Sequence, residues 1–202
     1  EMTWQGAPYA PADPKAAMDL GVGMIHQELK LLPKLTIAEN IFVGRYPMKR
    51  GKIDRTAMED RARGGLQRLG LEIAPDRLVE GLSTGRQQLI EIAKALTLDC
   101  KVLILDEPTA ALTDNESAAL FRVLHDLKDQ GIAIIYISHR MAEIFAHCTR
   151  VTVLRDGRNV HSGLLAELDA DGLVRRMVGR DLGNYYPPNQ QDAHPREHLL
   201  EV

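Results

Sequence analysis

The chain has 202 residues, of which 45% are apolar and 26% charged, the composition of an ordinary globular protein with a sizeable core. Its formal charge of -3 argues against a nucleic-acid surface, which needs a basic excess. Cys100 and Cys148 lack metal-ligand spacing and read as reduced thiols of a cytosolic protein, and no stretch approaches the roughly 18 apolar residues of a spanning helix. Glu1-Met2-Thr3-Trp4 has neither the basic region nor the apolar stretch of a secretion signal, and it reads as the start of a fragment.

In chain order, a short strand-like piece and a Pro-rich loop (Pro8, Pro11, Pro14) precede a brief helix at Ala16–Leu20, stopped by Gly21. Val22–His26 reads as a strand entering a polar turn. A polar, basic stretch runs from Arg45 to Arg55, and helical spacing resumes from Thr56 to Leu69, closed by Gly70. Over residues 86–98, Leu89, Ile92, Ala93 and Leu96 form one apolar helical face.

Val102-Leu103-Ile104-Leu105 is apolar without alternation, as in a parallel strand covered on both faces, and Pro108 ends it after Asp106-Glu107. Thr113 and Glu116 make a capping box for a helix whose buried stripe is Leu120, Val123, Leu124 and Leu127, ended by Gly131. Ile132–Ile137 is a second buried strand, followed by Ser138-His139 and a short helix. Val151–Leu154 with the Asp156-Gly157 turn reads as a hairpin on the sheet edge. Alternation of strand and helix over residues 100–155 predicts an α/β fold with parallel strands. Residues 183–198, with three prolines, read as a linker, and Leu199–Val202 as the first strand of something else.

Four features carry chemistry. Asp106-Glu107 stands at the carboxyl end of a strand, where open α/β sheets bind ligands. Two adjacent acids there suit one that coordinates magnesium and one that orients a water against a phosphate, although capping of a strand end explains them equally well in isolation. Ser83-Thr84-Gly85 opens the helix at 86–98, where backbone N–H groups, a hydroxyl and a glycine make an anion site; alone, an ordinary Ser N-cap is the simpler reading. His139 and Gln27 each follow a strand, within reach of a phosphate, metal or water. Taken singly, each reads more simply as a polar surface residue.

In the order Gln27, Ser83-Thr84-Gly85, Asp106-Glu107, His139, these residues resemble the Q-loop, signature motif, Walker B with catalytic glutamate, and switch histidine of the ATP-binding-cassette ATPases. The signature lies about twenty residues ahead of Walker B and the histidine about thirty beyond it, as in that family. The resemblance covers residues 1 to about 180. Ile25-His26-Gln27-Glu28-Leu29, Leu35–Phe42, Asp106–Thr113 and Tyr136–Arg140 look like the ribose, xylose and galactose importers, whose polypeptides fuse two cassettes. Arg176–Arg180 resembles the end of a first cassette. Thr84 and Arg86 depart from the commonest signature, and Thr113 replaces the usual aspartate of the loop after Walker B.

The resemblance implies a P-loop NTPase-type core sheet with an inserted helical subdomain at about 35–98, within a cassette spanning residues 1–182. No Gly-x-x-x-x-Gly-Lys-Ser/Thr occurs in the 202 residues, so the phosphate-loop strand and helix are expected to be missing and the chain as given to be inactive. It implies a bacterial sugar-import ATPase on the cytoplasmic face of the inner membrane, with ATP and Mg2+ as cofactors. Asp106 and Gln27 would serve the metal; Gln27, Ser83, Thr84 and Gly85 the nucleotide; Glu107 and His139 catalysis. Transmembrane permease subunits, a second cassette fused C-terminally and, indirectly, a periplasmic sugar-binding protein would be partners, with no nucleic acid.

Lys30–Gly44, with Leu31, Leu32, Leu35, Ile37, Ile41 and Phe42, is expected to form part of the groove for a permease helix, or else to pack the helical subdomain. Val102–Leu105 is expected to lack a neighbouring strand, beside an exposed apolar groove. The alternatives are a non-transport cassette of repair or ribosome type, against which the charge and the roughly 55-residue spacing from Gln27 to Ser83 count, and a non-catalytic fragment.

Overall fold

The computed structural model describes residues 2–97 and 100–179. They fall into two units, Glu1–Arg140 and Met141–Val202. The expected linker at 183–198 and the strand at Leu199–Val202 lie outside the described residues.

The first unit opens with a small hairpin, β1 (Thr3–Trp4) and β2 (Ala7–Pro8), turning through Gln5 and Gly6 at positive φ. Asp13 caps α1 (Pro14–Asp19), its carboxylate accepting from the Ala16 N–H at 2.7 Å, with proline in the first turn where no N–H is required. Next come β3 (Val22–Ile25) and α2 (Ile37–Phe42), the latter started by a reciprocal Thr36/Glu39 capping box. The polar stretch after Arg45 is a second hairpin, β4 (Met48–Lys49) and β5 (Lys52–Ile53). It is followed by α3 (Arg55–Arg68), α4 (Thr84–Leu96), β6 (Val102–Asp106), α5 (Asp114–Asp129) and β7 (Ala133–Ile137). The four helices and three longer strands expected in this unit are present, with ends shifted by one or two residues.

The longer strands form one parallel sheet in the order β3-β6-β7, with Met24, Ile104 and Ile135 in one row and Ile25, Leu105 and Tyr136 in the next. β6 therefore has a neighbour on each side, which corrects the expectation that Val102–Leu105 would lack one. The strands without a second neighbour among the described residues are β3 and β7. An apolar run marks β6 as a central strand, but it does not say which strands flank it. Within this sheet the strands follow chain order, each parallel pairing being reached through a crossover that carries the intervening elements.

Alternate residues of the sheet then meet different surroundings. Leu103 and Leu105 are wholly buried, in one cluster with Ile37, Ile41, Phe42, Ile90, Ile92, Leu120 and Leu124. On the opposite face, Met24 (43% exposed), Ile135 (49%) and Ile137 (45%) stay open to solvent. A parallel sheet is normally buried on both faces; here the described residues cover one, and the exposed apolar surface expected beside β6 is present. Helices α2, α3 and α4 pack against one another and share their core with the sheet.

The second unit comprises α6 (Met141–His147), the hairpin β8 (Arg150–Arg155) and β9 (Arg158–Leu164), a 3-10 turn at Leu165–Glu167, and α7 (Ala170–Val178). Asp156 (φ 51) and Gly157 (φ 72) both adopt positive φ, the tight turn expected from that dipeptide. The hairpin is a two-stranded sheet of its own, not the edge of the parallel sheet. Ile144, Val153, Leu165 and Leu173 form its core. Asp169 caps α7, Gly179 (φ 76) ends it, and the Arg155 guanidinium donates to the Arg176 carbonyl at 3.1 Å.

Candidate functional site

Parallel pairing sets three strand ends side by side. Ile25 of β3 is in register with Leu105 of β6, and Asp106 with Ile137 of β7. Residues that follow these ends therefore emerge along one rim of the sheet: Gln27, Asp106-Glu107 and Ser138-His139. That rim is where ligands meet open α/β sheets.

At the centre, His139 Nδ1 lies 2.8 Å from Glu107 Oε1. A carboxylate only accepts, so the ring donates from Nδ1 and presents Nε2 outward; the histidine side chain is 77% exposed and the glutamate 16%. The other oxygen, Glu107 Oε2, is buried with no hydrogen-bond partner. Glu107 also holds φ at +47, a left-handed conformation that costs a non-glycine residue about 1–2 kcal/mol. Its N–H donates to the Ile137 carbonyl at 2.9 Å, and Thr109, 1% exposed, sets its hydroxyl 3.3 Å from Tyr136 OH. These bonds fasten the loop after β6 to β7 and hold the strained residue. Backbone strain of this kind concentrates where function over-determines geometry.

Asp106, half-buried, ends β6, and Gln27, exposed, follows the adjacent strand. Among the described residues no three His, Cys, Asp or Glu side chains are grouped to hold a metal by themselves. A carboxylate and an amide oxygen on neighbouring strand ends are hard donors. They fit magnesium, which retains waters and takes phosphate oxygens instead of requiring an all-protein cage.

Ser83, exposed, caps α4 by accepting from the Arg86 N–H at 3.4 Å. Gly85 is buried, and a Cβ there would stand 2.8 Å from the Ala111 carbonyl oxygen and 3.3 Å from Glu116 Oε2. The start of α4 is thus seated on the loop that runs from Glu107 to α5. Thr84 is exposed beside Ser83. Thr113 caps α5, its hydroxyl and N–H both bonded to Glu116 Oε2 at 2.9 Å.

The segment after Gln27 divides. Ile37, Ile41 and Phe42 are core residues, which for those three favours the packing alternative over the partner groove; Leu32 is 47% exposed. Two residues that sequence reasoning passed over organise this segment. Asn40, 1% exposed, accepts from the Leu32 N–H at 2.7 Å and donates to the carbonyls of Leu32, Leu35 and Thr36. Glu91 of α4 accepts from the Lys30 N–H at 3.0 Å. An asparagine between the apolar Ile37, Ala38, Ile41 and Phe42 was the available signal for the first; Glu91 reads simply as a polar helix position.

Comparison with known proteins gives the family. The ABC transporter family model matches residues 1–110, more than half of the chain. The ribose import ATP-binding protein RbsA 1 of Streptomyces coelicolor is 52% identical over 198 residues, covering 98% of this chain and 39% of that protein. RbsA of Rhodococcus jostii is 52% identical over 194 residues, covering 96% and 38%. The chain therefore spans about two fifths of the length of these curated relatives.

Among solved structures, an ATP-binding cassette dimer in a post-hydrolysis state with ADP and phosphate superposes with a TM-score of 0.66 at 25% identity, covering 76% of this chain and 67% of that one. The cbiO1 component of a Clostridium perfringens ABC transporter complex gives 0.66 at 27% identity, covering 88% and 70%. No helix among the described residues is long and apolar enough to cross a membrane. By its matched model, its fold and the order of its rim residues, the chain belongs to the ABC transporter family.

Proposed function

We propose that this chain is the part of a sugar-import ATPase that carries the water-polarising glutamate, the metal-side aspartate and the signature, and that its parent protein couples ATP hydrolysis to uptake through permease subunits at the cytoplasmic face of a bacterial membrane. The observation that carries the reading is Glu107: one oxygen fixed by His139, the other buried and unpartnered, on a strained backbone at the sheet rim. Buried polar atoms without a partner call for an explanation, and a water donating to Oε2 supplies one. Glu107 then polarises that water toward the γ-phosphate. His139 holds the carboxylate through Nδ1 and turns Nε2 toward the nucleotide. Asp106, with Gln27 on the neighbouring strand end, serves magnesium, which when bound draws charge from the phosphate oxygens. Ser83, Thr84 and Gly85 offer a capped helix N-terminus to the phosphates of a nucleotide held by another cassette.

Similarity to ribose import ATP-binding proteins supports ribose or a similar sugar as the cargo. A second cassette fused behind this one and a periplasmic sugar-binding protein acting through the permease complete the proposed assembly, and Lys30–Gly44, with Leu32 exposed, is the proposed part of the permease-facing groove.

The test is single-turnover ATP hydrolysis by the full-length protein carrying Glu107→Gln. Loss of hydrolysis with ATP binding retained supports the assignment. A rate within about threefold of the parent, under ~1 kcal/mol of barrier, overturns it.

A further inference from the structure

Residues 28–36, between Gln27 and α2, contain no helix or strand, yet they are fastened at both ends. Asn40 gathers Leu32, Leu35 and Thr36 into one buried bonding centre. Three residues beyond Gln27, the Lys30 N–H is held by Glu91 Oε1 at 3.0 Å, across 61 residues of sequence. The Glu91 side chain is 14% exposed, and its other oxygen lies 3.5 Å from Lys94 Nζ on the same helix. Glu91 sits on α4, about two turns from Ser83 and Gly85. At that end the helix is seated through Gly85 on the Ala111 carbonyl of the loop that begins at Glu107.

A hydrogen-bonded helix transmits displacement as a rigid element, so α4 has one attachment at the segment after Gln27 and another at the loop after Glu107. The Lys30–Glu91 bond is a polar tie at the first attachment. A backbone N–H donating to a carboxylate is among the stronger hydrogen bonds, and here it joins a loop without regular structure to a helix whose other face is core.

We propose that Glu91 is a positioning residue: it couples the segment following Gln27 to the signature-bearing helix α4, so that movement of one is transmitted to the other. The inference rests on the proposed coupling of ATP hydrolysis to permease subunits. Glu91 touches neither nucleotide nor metal, and its effect falls on coupling, not on the hydrolytic step.

The test uses the full-length protein assembled with its permease subunits. Three variants are compared by amide hydrogen exchange over residues 28–36 and by ATP turnover with and without the permease. In Glu91→Ala, the Lys30 amide is expected to lose protection about tenfold or more. Permease-dependent stimulation of turnover is expected to fall to within about twofold of the unstimulated rate, with KM for ATP unchanged. Glu91→Gln keeps an accepting oxygen and is expected to retain more than half of both properties, while Lys94→Met, which removes only the ion pair, leaves both intact. Unchanged Lys30 protection or unchanged stimulation in Glu91→Ala overturns the proposal. So does a Gln variant as deficient as Ala, which would transfer the effect to charge. If the permease does not alter turnover even in the parent protein, the proposed coupling to permease subunits fails, and Lys30 protection alone then decides whether Glu91 holds the segment.

Discussion

His139 Nδ1 donates to Glu107 Oε1 across 2.8 Å, joining the ends of two adjacent strands through side chains 32 residues apart. The contact sets the orientation of the carboxylate. One oxygen is occupied, and the other is directed inward without a partner.

Replacing His139 by Ala removes the hydrogen bond that fixes Glu107 Oε1. In the full-length protein, turnover should fall by about 100-fold or more, the range for a displaced general base, with nucleotide affinity changed far less. His139→Gln, which can still donate, should recover part of the loss. Steady-state kinetics on the two variants distinguish positioning from nucleotide contact: equal defects in both would assign the histidine's role to its ring alone.

The left-handed backbone at Glu107 predicts a second dissociation of stability from activity. Glu107→Gly removes the side chain but relieves φ +47, so it should be more stable than Glu107→Ala by about 1 kcal/mol while being as inactive. Urea denaturation of the pair measures the difference, and Gly less stable than Ala would show that the backbone is not strained.

Two glycines on neighbouring helices should respond in opposite directions. At Gly85 a methyl group meets the Ala111 carbonyl oxygen at 2.8 Å, backbone that has no rotamer to yield. Gly85→Ala should therefore cost about 1–3 kcal/mol and displace the loop after β6. Gly64, exposed on α3 with nothing within 4 Å, should gain about 0.5–1 kcal/mol on substitution by Ala. Thermal melts of both variants are the check.

Asn40→Leu keeps the volume and removes every bond of the buried centre at Leu32, Leu35 and Thr36. Leaving these groups unpaired should cost about 1–3 kcal/mol, and amide exchange should rise first at residues 31–36. A melting temperature equal to that of the parent would show that water replaces the amide without loss.

Much of this molecule was legible in its sequence because local rules suffice for local features. The Thr113/Glu116 box, the apolar face of α4 and the Asp156-Gly157 turn all depend on neighbours within four residues. The rim residues were found because strand ends can be read from where apolar runs stop. What escaped was long-range. β6 proved central, flanked by β3 and β7, because no pattern within Val102–Leu105 encodes its neighbours. Ile37, Ile41 and Phe42 look like partner-surface residues in the same way that core residues do, and only packing separates them. The Lys30–Glu91 and Thr109–Tyr136 contacts join segments whose proximity follows from the fold, not from spacing. The hairpins at β1–β2 and β4–β5 are two residues per strand, too short for alternation to register.

The parallel register at β6 turns strand length into a ruler. Each residue advances the chain about 3.3 Å and reverses the face its side chain occupies. One residue added or lost between Val102 and Leu105 would move Asp106 and Glu107 by more than the 2.8 Å that separates Glu107 from His139, and would turn Leu103 or Leu105 out of the core. Drift at these positions can exchange one aliphatic side chain for another, but insertions and deletions must be confined to the loops. Among sequences descended from a common ancestor, the distance from the start of this strand to its paired acids should be invariant even where the letters between are not.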